Sequence, residues 1–248
     1  MAITKKMHLK IYCQNIKEKW LESGKSNLDV FYGIANSFVD QIPVLYNYLS
    51  DYEMDRANRF RHESDYNCYV SVHSLLRIEL SKILGTEARS IKIVESKSGK
   101  PFISDEVLPF SISRTKNSFA FVIGRSNQFL GVDIEQINPD VEFPGISRSF
   151  FSTKEQQRIF SIDSIEEQQR FFFEIWTRKE ALLKALGVGI NTELSNVQVL
   201  EGENIIDMEV ISDYADSFKI ITIMNDRESL SIASSVDIVP RFINISSE

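Results

Sequence analysis

Two stretches of the chain show hydrophobic patterns that predict its central elements. In Phe129–Glu135 apolar and acidic residues alternate towards the end of the stretch, which is typical of a half-buried strand. Val132 and Ile134 then face apolar packing, whereas Asp133 and Glu135 share the opposite face. Two carboxylates are therefore expected close together at one end of a strand.

The second stretch, Arg170 to Leu186, has the spacing of an amphipathic helix that ends at a glycine. Its apolar stripe is formed by Trp176, Leu182, Leu183 and Leu186. Glu180 and Lys184 lie one helical turn apart on the flank of this stripe. If the helix crosses the end of the strand, Glu180 joins the two carboxylates and Lys184 stands beside them.

The remaining pattern predicts a mixture of helices and strands. A long helix is predicted at about 64–84, and a polar helical segment precedes it at 45–60. Near the N-terminus, the three- and four-residue spacing of Leu9, Tyr12, Ile16 and Trp20 predicts a short amphipathic helix. We expect it to pack on the body of the protein, and docking to a partner is the alternative. Further strands are predicted at 29–34, 90–94, 110–115, 118–123, 196–200, 208–211, 218–224 and 230–233.

A weak internal repeat links the two long helices. The segment 80–85, followed by 91–94, is echoed by 182–187, followed by 197–200. Each half therefore has a long helix and then strands, which predicts an α+β fold made by duplication. We expect a pseudo-dimer of two similar halves, each with a long helix packed on an antiparallel sheet, and a ligand cleft between the halves.

Composition limits the class of protein. The chain has 248 residues, of which 43% are hydrophobic and 25% charged, so it is long enough for one large or two small cores. A net charge of -7 argues against a general nucleic-acid binder. Two cysteines, the absence of a signal-peptide pattern in residues 1–10 and the lack of any long apolar run predict a cytoplasmic protein without a membrane span.

The acidic residues have a simple and a functional interpretation. Singly, Asp133 and Glu135 fit a strand edge that returns to water, and Glu180 with Lys184 fits a surface ion pair of little energetic value. Jointly, three acids beside apolar segments repel one another unless a cation offsets their charge. Such oxygen ligands suit Mg²⁺, which also binds water and substrate phosphates, and Lys184 offers a charge for phosphate.

Three motifs carry a family resemblance. These are Gly-Val-Asp-Ile-Glu at 131–135, Phe-Phe-Ser-x-x-Glu at 150–155 and Trp-Thr-x-Lys-Glu-Ala-x-x-Lys at 176–184. In this order and separation they resemble the 4'-phosphopantetheinyl transferases, specifically the surfactin-synthetase-activating (Sfp-like) type. The resemblance runs from about Leu28 to the C-terminus. It implies the same pseudo-dimer with its active site in the cleft, and we expect an N-terminal extension at 1–27, an N-terminal half at 28–132 and a C-terminal half at 133–248.

The resemblance also implies residues that bind coenzyme A. Arg56 matches a position that holds the 3'-phosphate, and Gly99-Lys100-Pro101 matches a motif that contacts the adenine end. Ser113-Arg114 stands where relatives have Ser-His, and the arginine can keep the phosphate contact. Glu53 and Cys68 depart from basic positions of the family, so part of the phosphate pocket is expected to differ. Without the resemblance, Lys100 lies in an ordinary turn and Arg114 in an exposed hairpin.

The activity implied is a Mg²⁺-dependent holo-[acyl-carrier-protein] synthase reaction. The 4'-phosphopantetheine of coenzyme A would pass to a serine of an acyl or peptidyl carrier protein, releasing adenosine 3',5'-bisphosphate, in a monomer of secondary-metabolite biosynthesis. Asp133, Glu135 and Glu180 would hold the metal, Glu180 would act as base and Lys184 would stabilise the leaving phosphate. The rival hypotheses are a nucleotide phosphoesterase and a non-catalytic homologue that binds coenzyme A or a carrier.

The role of Glu155 stays open at this point. Ser152 followed three residues later by Glu155 is a capping-box pattern. The family often carries an acid here near its active site. Both roles remain in the hypothesis.

Overall fold

The computed structural model describes residues 5–16, 27–105, 108–124, 128–188, 194–210, 215 and 217–245. The fold is a mixed α+β arrangement, as the pattern predicts. The strands are β1 Lys5–Asn15, β2 Leu28–Ile34, β3 Ile93–Glu95, β4 Pro101–Ile103, β5 Phe110–Arg114, β6 Ser118–Ile123, β7 Leu130–Gln136, β8 Gly202–Val210, β9 Ser217–Met224, β10 Glu228–Ser234 and β11 Pro240–Asn244. The α-helices are α1 Ile42–Leu45, α2 Asp51–Ala57, α3 Glu63–Leu84, α4 Phe143–Phe150, α5 Thr153–Phe160 and α6 Ile165–Leu186, with short 3₁₀ turns at Ala35–Gln41, Tyr46–Tyr48, Ala88–Ser90 and Leu194–Asn196.

The larger sheet has five strands in the order β7-β10-β9-β1-β8. All of its neighbours are antiparallel except β1 and β9, which are parallel. Helix α6 covers one face of this sheet, and its Ile175, Leu182 and Leu186 pack in one core with Ile11 and Ile220. The apolar stripe predicted for α6 is thus the face that the helix buries.

The second sheet has four strands in the order β11-β2-β6-β5, with only the β11–β2 pair parallel. Helix α3 packs against it, with Leu76 and Leu80 in the same core as Phe119 and Phe121 of β6. A separate two-stranded hairpin joins β3 to β4. Helices α3 and α6 both end at glycines with positive φ, Gly85 and Gly187.

A third core lies between the two sheets. Ala120 and Val122 of β6 share this cluster with Val132 and Ile134 of β7. Every residue of β6 is buried because its two faces contact different cores. The sheets therefore form the inner layers of the molecule, and the contacts between β5 or β6 and β7 bring Asp133 beside the second sheet.

Three expectations are wrong. Residues 5–15 form strand β1 in the five-stranded sheet instead of the predicted amphipathic helix, because Leu9, Ile11 and Cys13 alternate into the core while Tyr12 is exposed. The rest of that predicted helix lies outside the described residues. The sheets are mixed and not purely antiparallel, since β1 and β11 each add as a parallel strand. Residues 197–200 form no strand.

The division of the chain at 27/28 and 132/133 and the duplication of the halves remain predictions. Among the described helices, none combines the length and apolarity needed to cross a bilayer.

Candidate active site

Gly131 sets the contact between β7 and α6. A Cβ atom built at this position would overlap the carbonyl oxygen of Ala181 and lie 2.5 Å from the amide nitrogen of Ala185. Only a residue without a side chain allows the helix backbone to come this close to the strand. The approach places Asp133, two residues further along β7, next to the side chains of Glu180 and Lys184.

Asp133 is held in a small polar cluster. Its Oδ1 accepts a hydrogen bond from Ser113 Oγ at 2.8 Å and an ion-pair hydrogen bond from Lys184 Nζ at 2.7 Å. Lys184 Nζ also donates to Ser113 Oγ at 2.8 Å. The structure therefore brings together three predicted site residues from β5, β7 and α6.

Two buried carboxylate oxygens of this cluster lack a partner. Asp133 Oδ2 and Glu180 Oε1 are inaccessible to solvent and have no hydrogen-bond donor. Burial of Glu135, then the charge of Asp133, raises the pKa of Glu135 to about 7, and Lys184 opposes this. Burial and the charge of Asp133 likewise raise the pKa of Glu180. The cluster thus has more buried negative charge than its single lysine compensates.

The donor atoms of these acids suit a hard divalent cation. The two unpartnered oxygens are what a cation with oxygen ligands would satisfy. In the part of the chain that the structure describes, no three His, Cys, Asp or Glu side chains are already arranged as a complete metal site, and Lys184 occupies Asp133 Oδ1. Mg²⁺ keeps several waters and binds substrate phosphates, so one or two carboxylates are enough to fit it.

Two adjoining cavities open on this cluster. One, of about 510 Å³, is bordered by Ser113, Asp133, Glu135 and Trp176. The other, of about 350 Å³, extends past α3 and the β3–β4 hairpin. Both share a common boundary of His73, Ile112, Arg114, Glu180 and Lys184. The acidic cluster therefore lies where a pocket from the N-terminal part of the chain meets α6.

Two arginines line the second cavity over an aromatic surface. The guanidinium carbon of Arg114 lies 5.1 Å from the centre of the Phe60 ring and 5.8 Å from that of Tyr69. Arg56 lies 5.9 Å from the centre of Tyr69, and its Nη1 bonds Glu95 Oε1 at 2.6 Å. Stacked guanidinium groups retain donors at their edges. Both predicted phosphate-binding arginines thus border one cavity.

Lys100 lies at the wall of the second cavity, with its ammonium group bonded to the protein backbone. The turn formed with Gly99, which has φ of 82°, and Pro101 borders the second cavity. The Nζ of Lys100 donates to Leu130 O at 3.2 Å and Ala185 O at 3.0 Å. Burial lowers the pKa of this ammonium to about 8. Its charge is thus engaged by backbone carbonyls of β7 and α6, while the turn itself faces the cavity.

Glu53 and Cys68, the departures from the family pattern, have structural roles. Glu53 closes a capping box with Ser50 and accepts a hydrogen bond from Arg77 Nε at 2.5 Å. Burial alone would raise the pKa of Glu53, but the hydrogen bond and charge of His73 and the charge of Arg77 lower it to about 2. Cys68 is buried, and its thiol donates to Thr115 O at 3.4 Å. Neither side chain borders the two cavities.

Glu155 is a helix cap and a member of a buried ion pair. It forms the predicted capping box with Ser152, pairs with Lys179 Nζ at 2.8 Å and accepts a hydrogen bond from Val199 N at 2.8 Å. It borders neither cavity. The structure therefore assigns Glu155 the first of its two alternatives.

Sequence reasoning missed His73 and Tyr69, which border the cavity from α3. Their rings stack with centroids 4.0 Å apart. The available signal was their four-residue spacing on one face of a long helix, a spacing that makes side chains neighbours. It does not distinguish a cavity wall from an ordinary surface.

Comparisons with known proteins agree with this geometry. Residues 129–233 match the family model described as the 4'-phosphopantetheinyl transferase superfamily. The chain is 31% identical over 155 residues to the 4'-phosphopantetheinyl transferase HetI of Nostoc sp., an alignment that covers 61% of this chain and 64% of that protein. It is 27% identical to a putative 4'-phosphopantetheinyl transferase of Synechocystis sp., with 71% of each chain covered, and 28% identical to the 4'-phosphopantetheinyl transferase Sfp of Bacillus subtilis, with 62% and 66% covered.

The matched segment runs from β7 to β10 and contains Asp133, Glu135, Glu180 and Lys184. Through this segment the chain is similar to the 4'-phosphopantetheinyl transferase superfamily. The alignment with the Nostoc protein spans just under two thirds of that protein's length.

Proposed function

We propose that the protein transfers the 4'-phosphopantetheine group of coenzyme A to a serine of an acyl or peptidyl carrier protein. The observation that carries this proposal is the pair of buried, unpartnered oxygens on Asp133 and Glu180 beside Lys184. They lie at the junction of two cavities and inside the segment that matches the transferase superfamily. Buried charge without a partner costs stability and is typical of functional sites.

Coenzyme A is proposed to lie in the second cavity with its phosphates towards the basic residues. Arg56 and Arg114 supply guanidinium donors for a phosphate, and the turn Gly99–Pro101 forms the wall for the nucleotide end. Ser113 and Lys184 border the acidic cluster, so they are positioned to hold the diphosphate. Lys100 contributes its backbone and stem, since its ammonium is engaged elsewhere.

We propose that Asp133, Glu135 and Glu180 would hold Mg²⁺ in this cluster. When bound, it neutralises charge on the transferring and leaving phosphates. Burial, and then the charge of Asp133, raises the pKa values of Glu135 and Glu180, and a bound cation would oppose both effects.

The side chains then divide the proton transfers. Glu180 accepts the proton of the carrier serine, and its raised pKa brings its basicity closer to neutral pH. The serine oxygen forms a bond to the phosphorus attached to pantetheine, while the bond from that phosphorus to the bridging oxygen breaks. Lys184 stabilises or protonates the leaving phosphate of adenosine 3',5'-bisphosphate.

We also infer a pseudo-dimeric origin and the surfactin-synthetase-activating type. Two long helices of equal length, α3 and α6, each cover one sheet and each end at a left-handed glycine. Residues of both α3 and α6 line each cavity, which supports halves at 28–132 and 133–248 after an extension at 1–27. Such a chain completes its own cleft, so we propose that it is a monomer. We also propose that the protein is cytoplasmic.

The test is to mix the protein with an apo carrier protein, coenzyme A and Mg²⁺ and to measure the mass of the carrier. The proposal requires a gain of one phosphopantetheine group per carrier, abolished by a chelator. Hydrolysis of coenzyme A without a carrier would instead support a phosphoesterase. Binding without turnover would support a non-catalytic homologue.

A further inference from the structure

His73 borders both cavities and is held by a carboxylate from outside them. Its Nδ1 lies 3.3 Å from Glu53 Oε1. Glu53 is itself fixed, because its other oxygen accepts from Ser50 and from Arg77 Nε. Stacking on Tyr69 limits rotation of the imidazole further. The imidazole is therefore held in one orientation by a carboxylate outside the cavities, as in sites where a carboxylate sets the tautomer of a histidine.

This orientation defines what the other ring nitrogen can do. When Nδ1 carries the proton donated to Glu53, Nε2 is the nitrogen left for a ligand. Among the described residues, Nε2 has no hydrogen-bond partner. Arg56 and Arg114 line the same cavity as His73, and their positive charges act on its imidazole. A histidine with a free nitrogen in one cavity with two arginines can recognise an anion with several oxygens.

The groups around His73 have opposing effects on the pKa of its imidazole. Burial lowers the pKa of His73, Glu53 opposes this, and Arg114 and Arg56 add to it. Without a ligand, burial first, and then the charges of Arg114 and Arg56, thus disfavour the protonated ring. A phosphate dianion placed among the three groups reverses this effect and favours a protonated ring that donates from both nitrogens.

We propose that His73 is a specificity-determining residue that binds a phosphomonoester of the nucleotide substrate. This inference rests on the proposed function and deepens it, since it makes the cleft discriminate coenzyme A from its analogue without the 3'-phosphate. It also explains how the chain manages without a basic side chain at positions 53 and 68: Glu53 orients His73, which lies on the cavity wall, while Cys68 packs in the core.

The test uses two substitutions that separate the two ring nitrogens. His73→Asn keeps a donor near the position of Nδ1, so the contact with Glu53 remains, but it removes Nε2. His73→Gln extends an amide towards the position of Nε2 and gives up the contact with Glu53. His62, which is exposed near the start of α3, supplies the control His62→Asn.

Affinities for coenzyme A and 3'-dephospho-coenzyme A are measured by calorimetry without Mg²⁺ or carrier, so turnover is not needed. We expect His62→Asn to keep the wild-type preference for coenzyme A. His73→Asn should keep the melting temperature but lose about tenfold or more of that preference, the value of a hydrogen bond to a charged group. His73→Gln should recover part of the preference for coenzyme A and have a lower melting temperature than the wild type.

The outcomes separate the two proposals. If His73→Asn retains the full preference, or if the wild type shows none, His73 is a structural residue and the inference is wrong. If the wild type binds neither compound, the proposed function fails as well. Binding with loss of preference only in the His73 variants supports both.

Discussion

Two adjacent residues of α6, Lys179 and Glu180, belong to opposite kinds of buried charge cluster. Lys179 is fully buried, pairs with Glu155 and donates to the carbonyl oxygens of Leu194 and Val197. Glu180 has a buried oxygen without any partner and shares its surroundings with Asp133, whose Oδ2 is also unpartnered. The first cluster is satisfied internally, and the second is complete only with something from outside.

The difference teaches how to separate structural from functional charge in this chain. Burial of charge is costly unless it is compensated by charge and hydrogen bonds. Glu155 and Lys179 compensate each other, so their role is to tie α5 and the segment 194–199 to α6. The acids around Lys184 remain uncompensated, so their cost is retained for binding and chemistry. Both clusters lie in the matched segment, and only the geometry tells them apart.

The largest effect is expected from breaking the buried ion pair of Glu155 and Lys179. Lys179→Met leaves Glu155 buried without its cation, and removal of one partner of a buried ion pair costs about 3–5 kcal/mol. Chemical denaturation should show this loss in the free energy of unfolding. The double variant Lys179→Met with Glu155→Gln should regain a large part of it. An unchanged unfolding midpoint for Lys179→Met would contradict the structural role.

The next largest effect is expected from removing one negative charge from the cluster of Asp133, Glu180 and Lys184. Glu180→Gln keeps the volume but removes the charge, so transfer to the carrier should fall by about 10²–10³-fold, as is usual on loss of one catalytic group. The melting temperature should stay the same or rise, because a buried charge without a partner is removed. Asp133→Asn should lose activity similarly, but it should lower the melting temperature, because Lys184 loses its ion-pair partner. The measurement is the carrier mass assay paired with thermal melting, and full activity in either variant would refute the site.

A third prediction concerns pH and the cluster of Glu53, His73 and Arg77. Because the folded-state pKa of Glu53 is lowered to about 2, its contribution to stability is complete above the unfolded value near 4.5. It decreases as the pH falls from there through about 2, by up to about 3 kcal/mol. Denaturation curves recorded from about pH 6 to about pH 1, a range that extends at least about one unit beyond each pKa, check this. Glu53→Gln, although destabilised, should lose part of the pH dependence.

The smallest effect is expected at Gly131, which allows the close contact between α6 and β7. Gly131→Ala inserts a methyl group where the backbone of α6 lies against β7, and forced overpacking costs about 1–3 kcal/mol. Because the helix must then move away from Asp133, transfer activity should fall even under conditions in which the variant stays folded. Gly85→Ala is a control away from the site, because it replaces a glycine with a positive φ, borders neither cavity and has no neighbour within 4 Å of its added Cβ. Equal losses of activity in the two variants would contradict the positioning role of Gly131.

The sequence by itself determined the local parts of the site. Alternation placed Asp133 and Glu135 on one face of a strand, helical spacing placed Glu180 one turn from Lys184, and the capping box at Ser152 formed as predicted. These features depend on neighbours within a few residues, so a pattern of period 2 or 3.6 is enough to predict them.

Only the tertiary structure decided which long-range partner each group meets. The N-terminal segment 5–15 has a spacing compatible with a helix, but the five-stranded sheet provides two partners for it as a strand. Lys100 finds the carbonyl oxygen of Ala185 and Glu155 finds Lys179, although sequence distance gives no indication of either. The physical reason is that backbone pairing and burial energies depend on surfaces far apart in the chain, which local propensity does not contain.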